Sequence, residues 1–148
     1  MVNYKSNAAK ISLKMEKSEF KKAKITTSKD AADYIRPFFF EDIDLFESFF
    51  LVLLNQGNNT IGYVKISQGG VSGTVVDKIL VAKYAIESLA KSVVLCHNHP
   101  SGTLNPSKAD EIITKEIKAG LGLFDIRVLD HIIITSESYS SFADNGIL

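Results

Sequence analysis

An apolar run, SVVLCH at residues 92–97, passes directly into HNHPSGTLNPSKAD at residues 97–110, and this junction constrains the fold more than any other feature. The run is short, rich in β-branched residues and free of charge, which fits a strand buried on both faces. The stretch that follows enters a helix, SKADEIITKEIKAG, whose apolar side is read as Ile112, Ile113 and Ile117, with Gly120 as its stop. Residues two apart on a strand face the same side. If extended geometry persists to residue 99, His97 and His99 therefore point one way, and Cys96 points the other way, into the core. Pro100 then turns the chain, with Ser101 and Gly102 shaping the loop. Asp110 falls in the first turn of the helix. A strand end and the helix start next to it can thus bring His97, His99 and Asp110 to one point.

Local structure alone leaves two readings of this stretch. Ser107 and Asp110 match a capping box, and Asn105 with Pro106 matches an N-cap followed by an N1 proline. Helix capping accounts for NPSKAD without any chemistry, but not for the two histidines before it. Neutral imidazoles and a carboxylate suit zinc, and three protein ligands leave a fourth tetrahedral position for water, as in catalytic rather than structural sites. The letters HNH do not make an HNH nuclease, whose signature residues are dispersed along the chain.

The remaining segments build a sheet around this junction. TTSKDAADYIRPFF reads as a helix with Ser28 as N-cap and Pro37 as terminator. ESFFLVLLNQGNNTIGYVKISQGG reads as a hairpin turning at residues 55–59. VVDKILVAKYAIESLA carries apolar residues at 75, 76, 79, 86 and 89, which is helical spacing. DIRVLDHIIIT is the last long strand, and YSSFADNGIL a short strand or loop. There are no internal repeats. Sheet segments separated by two central helices predict a layered α/β domain, a mixed β-sheet flanked by helices.

The 148 residues suit one domain. A single cysteine excludes an intrachain disulfide and points to a reducing, cytoplasmic location. No apolar run approaches the roughly 20 residues of a membrane helix, and the N-terminus has no secretory h-region. Net charge is zero but polarised. Residues 1–29 hold eight lysines against Glu16 and Glu19, a balance of +6, and residues 30–148 carry −6. The chain is therefore divided into a lysine-rich N-terminal segment, 1–29, expected to be partly disordered, and a domain, 30–148. The segment is either a solvated tail or an arm contacting nucleic acid. Only Tyr4 and Phe20 occur there, so no aromatic interleaving supports stacking on bases.

H-x-H-P-S, followed after ten residues by the aspartate of S-x-x-D, resembles the JAMM motif of MPN (JAB) metalloproteases. HNHPSG…PSKAD with LDHIII downstream is more similar to the RadC-like bacterial branch, and the likeness runs from about Ser28 to the C-terminus, including GTVVD and SFADNG. The resemblance implies a single JAB/MPN-type, cytidine-deaminase-like domain. It implies that His97, His99 and Asp110 bind one zinc per chain. It implies that Glu47, just before the first core strand, is the general base, with Glu41, Asp42 and Asp44 as rivals. Ser107 would stabilise the tetrahedral oxyanion. The implied reaction is hydrolysis of an amide, peptide or isopeptide, in a peptide or protein substrate.

His131 reads either as a satisfied buried histidine or as a partner for a metal ligand. Two other functions compete with hydrolysis. One is a non-catalytic JAB module binding a partner through the same cleft, against which the intact ligand set argues. The other is nucleic-acid processing, which rests on the DNA-repair label of the RadC name and on the lysine-rich start. A zinc nucleobase deaminase is excluded, because H-x-E and P-C-x-x-C are both missing.

Overall fold

A computed structural model describes residues 9, 12, 14–39, 41–70 and 74–148. Most of the first half of the lysine-rich segment, and with it the expectation of disorder there, lies outside the described residues, as does Gly73 of GTVVD.

The chain runs α1 (Ser28–Ile35), a 3₁₀ turn (Arg36–Phe39), β1 (Ser48–Leu54), β2 (Thr60–Gln68), α2 (Lys78–Glu87), β3 (Ser92–Asn98), α3 (Lys108–Gly122), β4 (Arg127–Ile134) and β5 (Tyr139–Ser141). The five strands form one mixed sheet in the order β2-β1-β3-β4-β5. Only the β3–β4 pair is parallel. That pair needs a crossover, and α3 supplies it.

β1 and β3 are central, and every residue of both is buried. Their unbroken apolar runs follow from having both faces covered. Alternation divides the core. Phe49, Leu51, Leu53, Val93 and Leu95 face α2 and α3, while Phe50, Val52, Leu54, Val94 and Cys96 face α1. The predicted layered α/β domain is the one observed, with helices on both faces of the sheet. Among the described residues no helix is long and apolar enough to cross a membrane.

Several local expectations are corrected. The N-cap of α1 is Thr27 rather than Ser28, because Thr27 and Asp30 close a reciprocal capping box. Ser107, not Asn105, caps α3, so Pro106 lies outside the helix. Gly120 does not stop α3, which continues until Leu121 is buried and ends at Gly122. Ile112 is 49% exposed, and the buried side of α3 is Thr114, Ile117 and Leu121. The face of α2 also differs. Val75, Ile79 and Leu89 are 89%, 77% and 80% exposed, and the helix buries Val81 and Ala85 instead. Asp77 caps α2 through the Ile79 amide, so Val75 and Val76 precede the helix.

The described part of the lysine-rich segment lies against the sheet. Phe20 packs edge-on against Phe38 and Tyr63, at 5.0 and 5.2 Å between centroids. Lys24 bridges to Asn59, and Ile25 is buried.

Candidate metal centre

β3 ends beside the N-terminus of α3, and the junction sets the geometry. His97 faces the α3 side, as Val93 and Leu95 do. Extended backbone carries through Asn98, and His99 follows with its ring on the same side. The two Nε2 atoms lie 2.9 Å apart. A β-turn then closes from the Gly102 amide to the His99 carbonyl at 3.0 Å. Gly102 adopts φ +81°, a left-handed conformation that favours glycine. The turn delivers the Thr103 carbonyl to Nδ1 of His99 at 2.9 Å.

Asp110 arrives from the first turn of α3. Its Oδ1 lies 3.3 Å from His97 Nε2, and its Oδ2 lies 3.4 Å from His99 Nε2. The capping box proves to be part of this arrangement rather than an alternative to it. The Ser107 amide donates to Asp110 Oδ2 at 2.7 Å, and Ser107 Oγ accepts from the Asp110 amide at 3.1 Å. The cap thus orients the carboxylate toward the two rings.

The donor set can be tested against a cation through its protons. A carbonyl only accepts, so His99 Nδ1 must donate to Thr103, which leaves the lone pair on Nε2. Thr114 spends its single proton on the Asp110 carbonyl, at 2.6 Å. Its 2.6 Å contact with His131 Nδ1 therefore requires that ring to donate. His131 is fully buried, and among the described residues its ring nitrogens contact only His97 and Thr114, with no carboxylate to balance a charge, so the ring is neutral; burial likewise lowers its pKa. His131 Nε2 is then an acceptor, and His97 Nδ1 donates to it at 2.8 Å. Both His97 and His99 consequently aim Nε2 lone pairs at each other and at a carboxylate. Three electron-rich groups at this spacing repel unless a proton or a metal cation lies among them.

In the state where a proton lies among them, burial raises the Asp110 carboxyl, but hydrogen bonds from His97 and His99 outweigh it and hold it well below the ordinary carboxylate range. In that state the hydrogen bond with Asp110 raises His99. The geometry also fits a metal. Bonds of 2.0–2.1 Å at a tetrahedral angle place ligand atoms about 3.3 Å apart. Among the described residues, His97, His99 and Asp110 are the group of three that could hold an ion.

Glu47 lies on the same face. Phe49 stands opposite His97 in the β1–β3 ladder, and Glu47, two residues earlier, falls opposite His99 when the ladder is continued. Its charge contributes to the raised pKa of His99. Glu41 and Asp42 instead line a cleft with Pro37, Phe38, Phe39 and Ser48 on the α1 side. Asp44 sits in the exposed turn before β1. Ser107 is exposed, and its hydroxyl proton has no acceptor among the described residues.

Asn98 is the middle residue of H-x-H, and sequence reasoning did not single it out. It points away from the histidines and is fully buried. Its Oδ1 accepts from the Ser48 amide at 2.8 Å, and its Nδ2 donates to the Ile43 and Phe46 carbonyls, both at 2.7 Å. One side chain therefore fastens the strand carrying the histidines to the loop carrying Glu47. Asn98→Ala strands a buried amide and two carbonyls, and is expected to cost about 2–5 kcal/mol in a urea titration. A loss below about 1 kcal/mol would show that the clamp contributes little.

Asp130 is a fastener of a different kind. It accepts from the His131 and Ala143 amides and from Ser141 Oγ, which pins the C-terminal turn to β4. Cys96 lies in the α1-side core, where burial pushes its thiol up.

This is a three-layer α/β domain with a candidate His₂Asp metal centre at the end of a central strand. The sequence profile of the RadC-like JAB domain matches residues 25–147, and the chain belongs to that family. It is 48% identical over 124 residues to a UPF0758 protein of Flavobacterium johnsoniae, covering 84% of this chain and 53% of that protein. It is 40% identical over 125 residues to a UPF0758 protein of Porphyromonas gingivalis, covering 84% and 54%. It is 42% identical over 102 residues to UPF0758 protein YfjY of Escherichia coli K12, covering 69% and 64%. The chain thus spans about half to two thirds of the length of these relatives.

Proposed function

We propose that this chain is a zinc-dependent hydrolase of amide bonds, peptide or isopeptide, with one zinc per chain. The observation that carries the reading is the convergence of two Nε2 lone pairs and a carboxylate on the face that Glu47 shares. Zinc held there would supply a Lewis acid and lower the pKa of a coordinated water to about 7.

The chain's own residues supply the rest. His97, His99 and Asp110 contribute three donors and leave one side of the site open. Glu47 accepts a proton from the attacking water and passes it to the leaving nitrogen, so that a neutral amine departs. The free hydroxyl proton of Ser107, beside Asp110, is available to the oxyanion that forms as the carbonyl is attacked. Burial of His97 and His99 keeps these charges in a poorly screened environment, where each interaction is stronger than in water.

The test is metal-dependent hydrolysis. The purified protein is expected to hold about one zinc per chain. It should cleave members of a panel of peptide and isopeptide amides, lose that activity to a chelator, and regain it with added zinc. Zinc-loaded protein that cleaves none of them would favour a binding module over an enzyme.

A further inference from the structure

His131 lies outside the set of three donors yet is fully buried against one of them. Its placement depends on an irregularity in the sheet. β4 pairs Val93 with Val128 but Val94 with Asp130, so one extra residue, Leu129, enters β4. Val128 and His131 are three apart and would face opposite sides of a regular strand. The extra residue turns both toward α3, and His131 then pairs with Leu95, the residue two before His97. Phe142 stacks on the His131 ring at 4.6 Å, and Phe49 meets it edge-on at 5.5 Å. The ring is thus fixed in position as well as hydrogen-bonded at both nitrogens.

We propose that His131 is a positioning residue for the metal centre: by accepting the Nδ1 proton of His97, it holds that ring as the tautomer whose Nε2 lone pair faces His99 and Asp110. This rests on the metal-binding reading of those three residues. The direction of the relay is imposed from its far end. The Asp110 carbonyl can only accept, so Thr114 donates to it, His131 donates to Thr114, and His97 donates to His131. The relay begins on the backbone of Asp110 and ends on the ring beside its carboxylate. One residue of α3 therefore offers a donor with its side chain and orders a second donor through its main chain. Outer partners of this kind commonly change metal affinity 10–100-fold when removed.

The tautomer can be read without metal, from the imidazole nitrogen chemical shifts of the metal-free protein. The expected result is a proton on Nδ1 of His97. His131→Phe keeps an aromatic ring between Phe142 and Phe49 but removes the acceptor. It should mix the two His97 tautomers and weaken zinc binding by about 10- to 100-fold. His131→Gln places an amide oxygen near the position of Nε2 and should stay within about threefold of the parent, following the same principle. Thr114→Val removes the acceptor for His131 Nδ1–H, frees that ring to reverse, and should raise the Nε2–H form of His97.

Two results would overturn the proposal. One is a His97 protonated on Nε2 but not on Nδ1 in the parent protein. The other is zinc affinity unchanged in a folded His131→Phe. If His131→Phe fails to fold, the parent tautomer and the Thr114→Val shift decide the matter. A parent protein that binds no zinc would remove the metal reading, and the tautomer would still decide whether His131 orders His97.

Discussion

Glu47→Gln is expected to retain fold and zinc and to lose about 10²- to 10⁴-fold in turnover on any amide the parent cleaves, the range typical of a positioned general base. Glutamine keeps the shape and hydrogen-bonding reach of the side chain but cannot take a proton. The chemistry requires the transfer in both directions, from the attacking water and to the leaving nitrogen. Glu47 is the acid that the β1–β3 register brings to the histidine face, whereas Glu41 and Asp42 open on the other side of the sheet. The measurement is initial rate alongside zinc content for parent and variant. Unchanged turnover with zinc retained would end the general-base assignment. Turnover lost together with zinc would mean that Glu47 supports the metal site instead.

His97→Ala is expected to lose both zinc and turnover. His97 supplies one of three donors, and its removal also leaves His131 without a hydrogen-bond donor in a dry site. Binding to the folded state stabilises it, by about 4 kcal/mol when free ligand is a thousandfold above its dissociation constant. Zinc should therefore raise the melting temperature of the parent and leave that of the variant unmoved. His97 is central to the core, so His99→Ala, at the 9% exposed edge of the site, provides the same test with less damage to packing. A zinc-dependent rise in either variant matching that of the parent would mean that the ion binds elsewhere. A metal-loaded crystal with Asp110 turned away from both rings would carry the same meaning.

The clustering of His97, His99 and Asp110 was legible because each of its parts is set by local rules. Strand period places His97 and His99 on one face and Cys96 on the other. Pro100 and Gly102 turn the chain, and the Ser107–Asp110 capping box fixes the carboxylate at a helix start. All of this lies within 15 consecutive residues. The hairpin of β1 and β2 was legible for the same reason, since its turn signal sits between two apolar runs. The buried face of α2 was not. Helical spacing of large apolar residues pointed to Val75, Ile79 and Leu89, while the surface facing the sheet admits Val81 and the small Ala85. Which stripe is buried depends on what the neighbouring layer leaves room for.

Three features belong to the tertiary structure alone. Asn98 joins β3 to the start of β1 and the loop before it across 50 to 55 residues of sequence. The antiparallel register of β1 on β3, continued past Phe49, brings Glu47 to the face of the histidines. His131 reaches His97 only because β4 takes in one extra residue against β3. The amino-acid sequence by itself determined the donors, their spacing and the order of the layers, since strand period, helix capping and turn chemistry act over a few residues. Register, bulge and layer packing are agreements between segments far apart in the chain. They exist only once both partners are in place, and they bring Glu47 and the third histidine, His131, to the face of His97 and His99.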